Sequence, residues 1–414
     1  MRKIRKAIAI ALLLVLAGSL FAAVGPTPGS IYTKTSPRVM SMGGAGLAVF
    51  NNQDALYLNP ASLAEKGLVF NLPNVSFTLY NIKNAFVDTG LIDNLIDDPS
   101  SIADTDYLAN ELLPDVLEIL STVGSNRLAT IDAGVGMKLG RFAFAVDTQL
   151  NLNTFNENAG LSEMTVIPEI NVAATFGFGF RFFRESPFNF DVGLSAALQM
   201  RAYTDLAATN FIEQIKNSDN FDIGTIFSGY PIALGWALPL TAALNVNFPF
   251  GFTVANVVSN IHLINGGFNY IQTDYEKIKD DAAGTISSVF SDDTKTYKSS
   301  PVWSVGLGWT PEYSIDWIVK PTVAVDLVDI TGLFDDFSSD SFLQRLKIGA
   351  ELQFLNLFEI RAGLNGGYKS VGLGVNLFNV IHMEAAYYWN EFGHDLGEKD
   401  VDALTIRFNI GWER

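Results

Sequence analysis

The sequence contains no cysteine and only three histidines, at positions 262, 382 and 394. The absence of cysteine excludes disulfide bridges, thiolate nucleophiles, iron–sulfur ligation and cysteine-based zinc sites. The histidines lack the spacing of metal ligands, and no Gly-x-Ser-x-Gly motif or other catalytic set is recognisable from spacing. We therefore expect no enzyme activity, no catalytic residue, no metal site and no cofactor.

Positive charge is also scarce in this chain. It has 27 lysine and arginine residues against 44 aspartate and glutamate residues, which gives a formal net charge of −17. No run of basic residues occurs after position 6. Because binding to nucleic acid phosphates requires a basic patch, the composition argues against a nucleic-acid partner.

The longest uncharged apolar run stands at the amino terminus. Residues 1–23 place four basic residues before an apolar run, which is followed by small residues. This pattern predicts a cleaved signal peptide, with a retained membrane anchor as the alternative. Elsewhere no uncharged apolar stretch reaches the length of a spanning helix, so a later membrane contact would not be made by helices.

Over most of the chain the apolar residues follow a period of two, which is typical of strands with one apolar face. In residues 141–152, for example, Phe142 and Phe144 share one face while Ala143 and Asp147 share the other. The pattern predicts about fourteen strands: 69–80, 129–139, 141–152, 166–183, 188–201, 234–248, 250–263, 300–309, 318–329, 344–355, 357–368, 370–377, 380–390 and 404–412.

The length of these strands favours a membrane barrel. Strands in soluble sheets average about 5 or 6 residues, whereas a tilted strand that crosses a bilayer needs about 9 to 11. Strands in hydrocarbon must pair all their backbone groups, which requires a closed cylinder. The sequence therefore predicts an all-β fold, a transmembrane antiparallel β-barrel of about 14 strands. A soluble β-sandwich is the alternative, because period two does not show whether the apolar face meets lipid or another sheet.

The connections between the strands are of two kinds. Some junctions are tight, whereas others, such as 274–299 and 330–342, are long and acidic. Short turns at one end and long loops at the other are typical of outer-membrane barrels. Two segments, near 91–123 and 203–229, show helical apolar spacing and predict helical loop insertions.

The segment between the signal peptide and the first strand differs from the strands. Within it, Gly43, Gly44 and Gly46 permit left-handed or tight backbone, Asp54 is predicted to cap a short helix, and Asn59-Pro60 is predicted to end it. Its position leaves it free to fold back into a barrel lumen as a plug.

In this segment the sequence resembles the FadL-like outer-membrane proteins. That family includes the long-chain fatty acid transporter, the aromatic-hydrocarbon channels, PorV of the type IX secretion system and a spirochaetal branch. The resemblance is carried, in order, by Met42, Gly43, Gly44, Asp54, Asn59, Pro60 and Ala61. The motif covers residues 36–67, and the later strands add only a compatible pattern.

The resemblance implies an N-terminal hatch over residues 24–67, inside a barrel that spans residues 68–414. It also implies a location in the outer membrane of a diderm bacterium, in contact with outer-membrane lipids. The implied function is passive uptake of a hydrophobic small molecule, such as a fatty acid, gated by the hatch. The alternative is a PorV-like barrel with a protein partner, acting as a binding or secretion-system component rather than as a solute transporter.

Charged residues of both signs recur on the predicted lumen face of the last strands. With the apolar face toward lipid, alternation places in the lumen Lys347, Glu351, Arg361, Glu384 and Arg407. One interpretation is a polar ladder that contacts the hatch or a ligand carboxylate, to which Arg361 and Arg407 are best suited. The other is an interior salt-bridge network that replaces lost hydration.

Overall fold

The computed structural model places the strands of this chain in one antiparallel sheet. The residues described are 30–32, 34, 36–49, 54–65, 67–84, 113–183, 188–216, 228–248, 252–262, 267–291, 294–310, 318–393 and 396–413. The predicted signal peptide and most of the predicted helical insertion near 91–123 lie outside these residues.

The sheet has eighteen strands. In chain order they are β1 (Gly67–Tyr80), β2 (Gly124–Gly140), β3 (Phe142–Asn156), β4 (Met164–Phe182), β5 (Asn189–Tyr203), β6 (Leu206–Ala207), β7 (Pro231–Ala237), β8 (Pro239–Phe248), β9 (Phe252–His262), β10 (Gly267–Asp274), β11 (Lys295–Lys298), β12 (Trp303–Trp309), β13 (Val319–Leu327), β14 (Leu346–Phe354), β15 (Phe358–Asn365), β16 (Tyr368–Leu377), β17 (Ile381–Glu391) and β18 (Asp400–Glu413).

Fourteen of these strands pair in a ring. Pairing runs from β1 through β2, β3, β4, β5, β8, β9 and β12, and then in chain order to β18. Strand β18 pairs in turn with β1, from Val69 opposite Glu413 to Tyr80 opposite Ala403. The predicted barrel of about 14 antiparallel strands is therefore confirmed.

The two faces of the ring differ as the alternation predicts. Large apolar side chains are exposed on the outside, including Val75, Phe77, Met137, Phe176, Leu194, Val323, Ile360, Leu373, Ile406 and Phe408. Polar side chains are buried on the inside, including Thr78, Asp132, Asn171, Gln199, Asn245, Asp326 and Thr405. An exposed apolar band around a polar interior is the arrangement of a barrel in lipid, and a β-sandwich would bury that band.

The two ends of the barrel also differ. At the end where β1 begins, which we call the near end, the chain reverses over short turns such as 355–357 and 378–380. At the opposite end, the far end, β1 and β2 are joined by residues 81–123 and β13 and β14 by residues 328–345. This asymmetry matches the expected pattern of short turns and long loops.

The far end carries an extension of the sheet. The last residues of β5 pair with β7, β7 pairs with β10, and β10 pairs with β11. The prediction of one strand over 234–248 was wrong, because the segment is divided at Leu238 into β7 and β8. Strand β7 pairs with residues 199–203 of β5, and β8 pairs with residues 189–196 of the same strand.

The helices are short and lie mostly in the connections. They are α1 (Pro37–Ser41), α2 (Ala55–Leu58), a 3-10 helix (Pro60–Ala64), α3 (Leu113–Leu120), α4 (Ala208–Lys216), α5 (Tyr275–Asp280), α6 (Ala282–Ser288), α7 (Gly332–Asp335) and α8 (Ser339–Arg345). In the part of the chain that the structure describes, no helix has the length and apolar character needed to cross a membrane. Helices α3 and α4 pack with β6, β7 and β10 in an apolar cluster above the far end.

The described part of the N-terminal segment, residues 30–32, 34, 36–49 and 54–65, lies inside the ring. Helix α1 contacts β15, β16, β17 and β18, and the 3-10 helix contacts β4, β5 and β8. Between them, the backbone N–H groups of Gly46 and Leu47 donate to the carboxylate of Asp326 on β13. A segment that contacts strands on every side of a closed ring must occupy its lumen.

Candidate functional site

Glycines on the lumen face of the wall make room for the N-terminal segment. A Cβ atom added at Gly193 would lie closer than 3.0 Å to backbone atoms of Pro60 and Ala61. The same holds for Gly179 against the backbone of Ala64. Since real Cβ atoms essentially never approach so closely, the wall and the segment are fitted backbone against backbone.

The first motif of the predicted hatch, Met42 to Gly44, contacts β14 and β15. Met42 is fully buried. Gly43 has a positive φ of 67°, and a Cβ there would meet backbone atoms of Leu364 and Ile348 at less than 3.0 Å. Gly44 packs beside the aliphatic part of Lys347, at 3.5 Å from a built Cβ. Only glycine fits position 43, because both the backbone conformation and the space exclude a side chain.

The second motif of the predicted hatch joins two parts of the N-terminal segment to the wall. The Asn59 side chain donates to the Leu47 carbonyl oxygen at 2.7 Å and to Asn245 Oδ1 at 3.0 Å. It also accepts from the Ala61 N–H group at 3.2 Å. Asn59 therefore begins the 3-10 helix by capping it, while Pro60 is the first residue of that helix.

The predicted capping role of Asp54 was wrong. Its position precedes α2, but its side chain makes no capping hydrogen bond. Instead, Asp54 Oδ1 lies 3.5 Å from Arg407 Nη1 on β18. A buried carboxylate gains more from a cation than from a neutral N–H group, which explains the difference.

Four of the five predicted ladder residues belong to one buried ion-pair network. Arg38 of α1 contacts Glu351 at 2.6 Å, and Glu351 contacts Arg361 at 2.6 Å. Glu384 joins Arg361 at 3.0 Å to Arg407 at 2.5 Å. Burial lowers the pKa of Arg38, but the carboxylates of Glu351, Glu359 and Glu384 raise it, and the net effect is a pKa above the ordinary value.

The network bears on the ladder interpretations. Arg361 is also paired with Glu359, and Arg407 with Asp54. A ligand carboxylate at either guanidinium would have to displace a protein carboxylate. The fifth residue, Lys347, stands apart from the network and donates to Gln344 and Asn365. The wall therefore uses these charges to hold itself and the N-terminal segment together.

A second anchor joins the N-terminal segment to the opposite wall. Lys34 and Tyr57 both donate to the Asp147 carboxylate on β3, which is buried. Tyr32 exchanges two backbone hydrogen bonds with the Gln199 side chain on β5. These contacts fix the start of the segment against β3 and β5.

A largely apolar cavity remains beside the N-terminal segment. Its volume is about 270 Å³. The N-terminal segment lines it with large, mostly apolar side chains, among them Ile31, Leu47, Leu56 and Leu58. The wall adds the small residues Ala173 and Ala197 and polar side chains such as those of Thr175, Ser195 and Gln199. The arrangement offers an apolar ligand a sheltered place within an otherwise polar lumen.

A polar cavity of about 190 Å³ adjoins the apolar one, because Tyr32 lines both. Its lining includes the guanidinium of Arg201 and the carboxylate of Glu169, which lie 3.9 Å apart. Arg201 Nη1 and the Tyr32 hydroxyl are buried and have no hydrogen-bond partner among the described residues. Burial, and then the charge of Asp132, raise the pKa of Tyr32 well above its ordinary value, so its hydroxyl stays a donor.

Sequence reasoning missed Arg201. Alternation along β5 places it on the lumen face, opposite Asn171 on β4. That signal was available, but whether its donors are satisfied depends on contacts between strands that the sequence does not show. Among the residues that the structure describes, no three acidic or histidine side chains come together as ligands for a metal ion.

Comparison with known proteins gives similarity in structure alone. No family model and no curated protein matches this chain. A FadL homologue of Pseudomonas aeruginosa is 12% identical over 93% of this chain and 99% of its own, with a TM-score of 0.42. The toluene transporter TodX of Pseudomonas putida is 10% identical over 95% and 99%, with a TM-score of 0.40.

Proposed function

We propose that this protein is an outer-membrane channel for passive uptake of a hydrophobic small molecule that carries a polar end, with long-chain fatty acids as the first candidates. The two adjoining cavities carry this proposal. The apolar part of the ligand would occupy the cavity beside Leu47 and Leu56, while its polar end would accept from Tyr32 and Arg201.

The driving force would be the transfer of hydrocarbon out of water. Each buried CH₂ group contributes about 0.8 kcal/mol, so affinity should rise with chain length until the cavity is filled. The two unpartnered donors favour a ligand that ends in an acceptor, because an unmet buried donor is unfavourable. The nearby Glu169 carboxylate would repel a ligand that carries two negative charges more strongly than a ligand that carries one.

The N-terminal segment would act as the hatch. It crosses the lumen between the two ends of the barrel, so a solute can pass only if the segment moves or through the space that the segment leaves. The polar contacts of Arg38 and Asp54 with the wall suit a reversible closure, because the wall carboxylates and guanidinium groups that they touch keep other partners when they separate.

Binding of dodecanoate to the protein in lipid nanodiscs, measured by calorimetry, tests the proposal. Arg201→Gln should weaken dodecanoate binding about tenfold, as expected for one charge-assisted hydrogen bond, and should affect 1-dodecanol less. Lys369→Gln, which removes an exposed positive charge from β16, is the matched control and should change neither affinity. Absence of binding by the parent protein would contradict the proposal.

The second candidate function is a protein-binding barrel, and one observation favours it. Phe334 and Phe337, in the far-end connection between β13 and β14, are 81% and 86% exposed. Aromatic residues are enriched at protein interfaces relative to the rest of the protein surface. A photo-crosslinking residue at position 337 should capture one stoichiometric partner if this function is correct, and none if the protein acts alone as a channel.

A further inference from the structure

Three large apolar residues occupy an unfavourable backbone conformation at the near end. Phe183, Leu355 and Phe378, which we call the near-end tips, have φ values of 54°, 55° and 58°. Left-handed backbone is sterically disfavoured for residues with a Cβ atom, and glycine or asparagine usually takes such positions. Their side chains are nevertheless 67%, 55% and 92% exposed.

The far end shows how the same chain makes a tight turn without this strain. Between β15 and β16 the two turn residues are Gly366 and Gly367, both with positive φ. At the near end, the turns after β14 and β16 also have two successive residues with positive φ. The first of the two is Leu355 or Phe378, and the second is an asparagine. The Leu357 N–H group closes the first of these turns by donating to the Phe354 carbonyl oxygen at 2.9 Å.

The near-end tips continue the apolar band of the wall. The neighbouring strand ends expose Phe182, Phe188 and Phe358, so at these described strand ends the apolar band reaches the turns. The turns 355–357 and 378–380 contain no charged residue, whereas the far-end connection 328–345 contains four aspartates and one arginine. An apolar rim that is continuous with a lipid-facing surface fits a membrane and not open water.

A cationic side chain at the same end agrees with a phospholipid surface. Arg141, in the turn between β2 and β3, lies with its guanidinium 5.0 Å from the ring centroid of Phe180. A guanidinium beside exposed aromatic rings is suited to bind the phosphate of a headgroup while the rings enter the acyl region.

From these observations we infer that the near-end tips are inserted into the bilayer at the boundary between headgroups and acyl chains, so that the near-end turns lie in the membrane and do not project from it. The occupant of this surface is phospholipid. The apolar contacts with lipid then compensate the unfavourable backbone conformation. The inference rests on the barrel and its exposed surface, and it does not depend on which ligand the lumen binds.

The absence of native cysteine allows a direct test. Phe378→Cys and Leu355→Cys would each carry a nitroxide label, in vesicles of phosphatidylethanolamine and phosphatidylglycerol. Ser287→Cys, in the exposed far-end helix α6, is the matched control. Power-saturation spectroscopy would compare collisions with oxygen, which concentrates in the bilayer, with collisions with the water-soluble complex Ni-EDDA.

We expect the ratio of oxygen to Ni-EDDA collisions to be several-fold higher at positions 378 and 355 than at position 287. A ratio at both positions equal to that at position 287 would overturn the inference, and it is the result expected for tips that project into water to meet a protein. Heat-modifiable migration on a gel verifies that each variant is folded. Labels at two turns keep the test decisive if one variant fails to fold.

Discussion

Replacing Gly193 by alanine should unseat the N-terminal segment without altering the lipid-facing wall. The added Cβ would lie closer than 3.0 Å to three backbone atoms of Pro60 and Ala61, which cannot move aside by changing a rotamer. Overpacking of this kind costs about 1–3 kcal/mol. If the strain is relieved by displacement of the segment, the ratio of displaced to seated molecules should rise by a factor of roughly 5–150.

Conductance of small ions through single barrels in planar bilayers measures this change. Gly193→Ala should show more frequent or larger open events than the parent protein. The matched control is Gly136→Ala, another lumen-facing glycine of the wall. The three atoms nearest to a Cβ added there all belong to β3, at 3.3 Å or more, and none of them belongs to the N-terminal segment.

A double variant separates displacement of the segment from distortion of the wall. Deleting residues 24–65 should raise conductance on its own, because the fourteen-strand ring pairs without the segment. Adding Gly193→Ala to this deletion should then have no further effect, since its only close contacts have been removed. Equal conductance of Gly193→Ala and Gly136→Ala, with both barrels folded, would refute the reasoning.

Two other variants test the anchors of the segment. Asp326→Ala removes the acceptor of two buried backbone N–H groups, each worth about 1–3 kcal/mol when left unsatisfied, so hydrogen exchange at residues 46 and 47 should become faster; unchanged exchange would contradict this anchor. Lys34→Ala should lower stability by about 3–5 kcal/mol, because it leaves the buried Asp147 without a cation. Lys277→Ala, in an exposed pair, should cost about 0–1 kcal/mol, and similar losses of heat resistance in the two lysine variants would argue against a structural role for Lys34.

The strands could be predicted from the sequence because the two faces of each wall strand lie in different environments. Lipid selects large apolar residues on one face and the lumen selects small or polar ones on the other, so alternation persists over a whole strand such as β15. The extension at the far end lacks this contrast. In β10 the first four residues are buried, whichever face they occupy, and the period of two is lost.

The candidate site was only partly predictable. Gly43 and Asn59 could be selected because part of each role is local: the positive φ of Gly43 and the cap that Asn59 forms on the 3-10 helix. The capping role of Asp54 and the ligand role of Arg361 could not be judged from sequence, because both depend on charges that approach from strands far away in the chain. Arg201 was missed for the same reason, since its relevance lies in one donor atom, Nη1, that has no hydrogen-bond partner among the described residues.

The distribution of partners around the N-terminal segment indicates which of its contacts would break at the lower cost. If α1 withdraws, Glu351 keeps Arg361, and Arg407 keeps Glu384, because each of these pairs joins two wall strands. No wall charge in that network is then left without an opposite charge. Asp147 differs, because both groups that donate to it, from Lys34 and Tyr57, belong to the segment. Removing one partner from a buried charge is more unfavourable than separating a network that retains its pairs. The contact with β14 to β18 should therefore open first, while the contact with β3 holds the segment in the lumen.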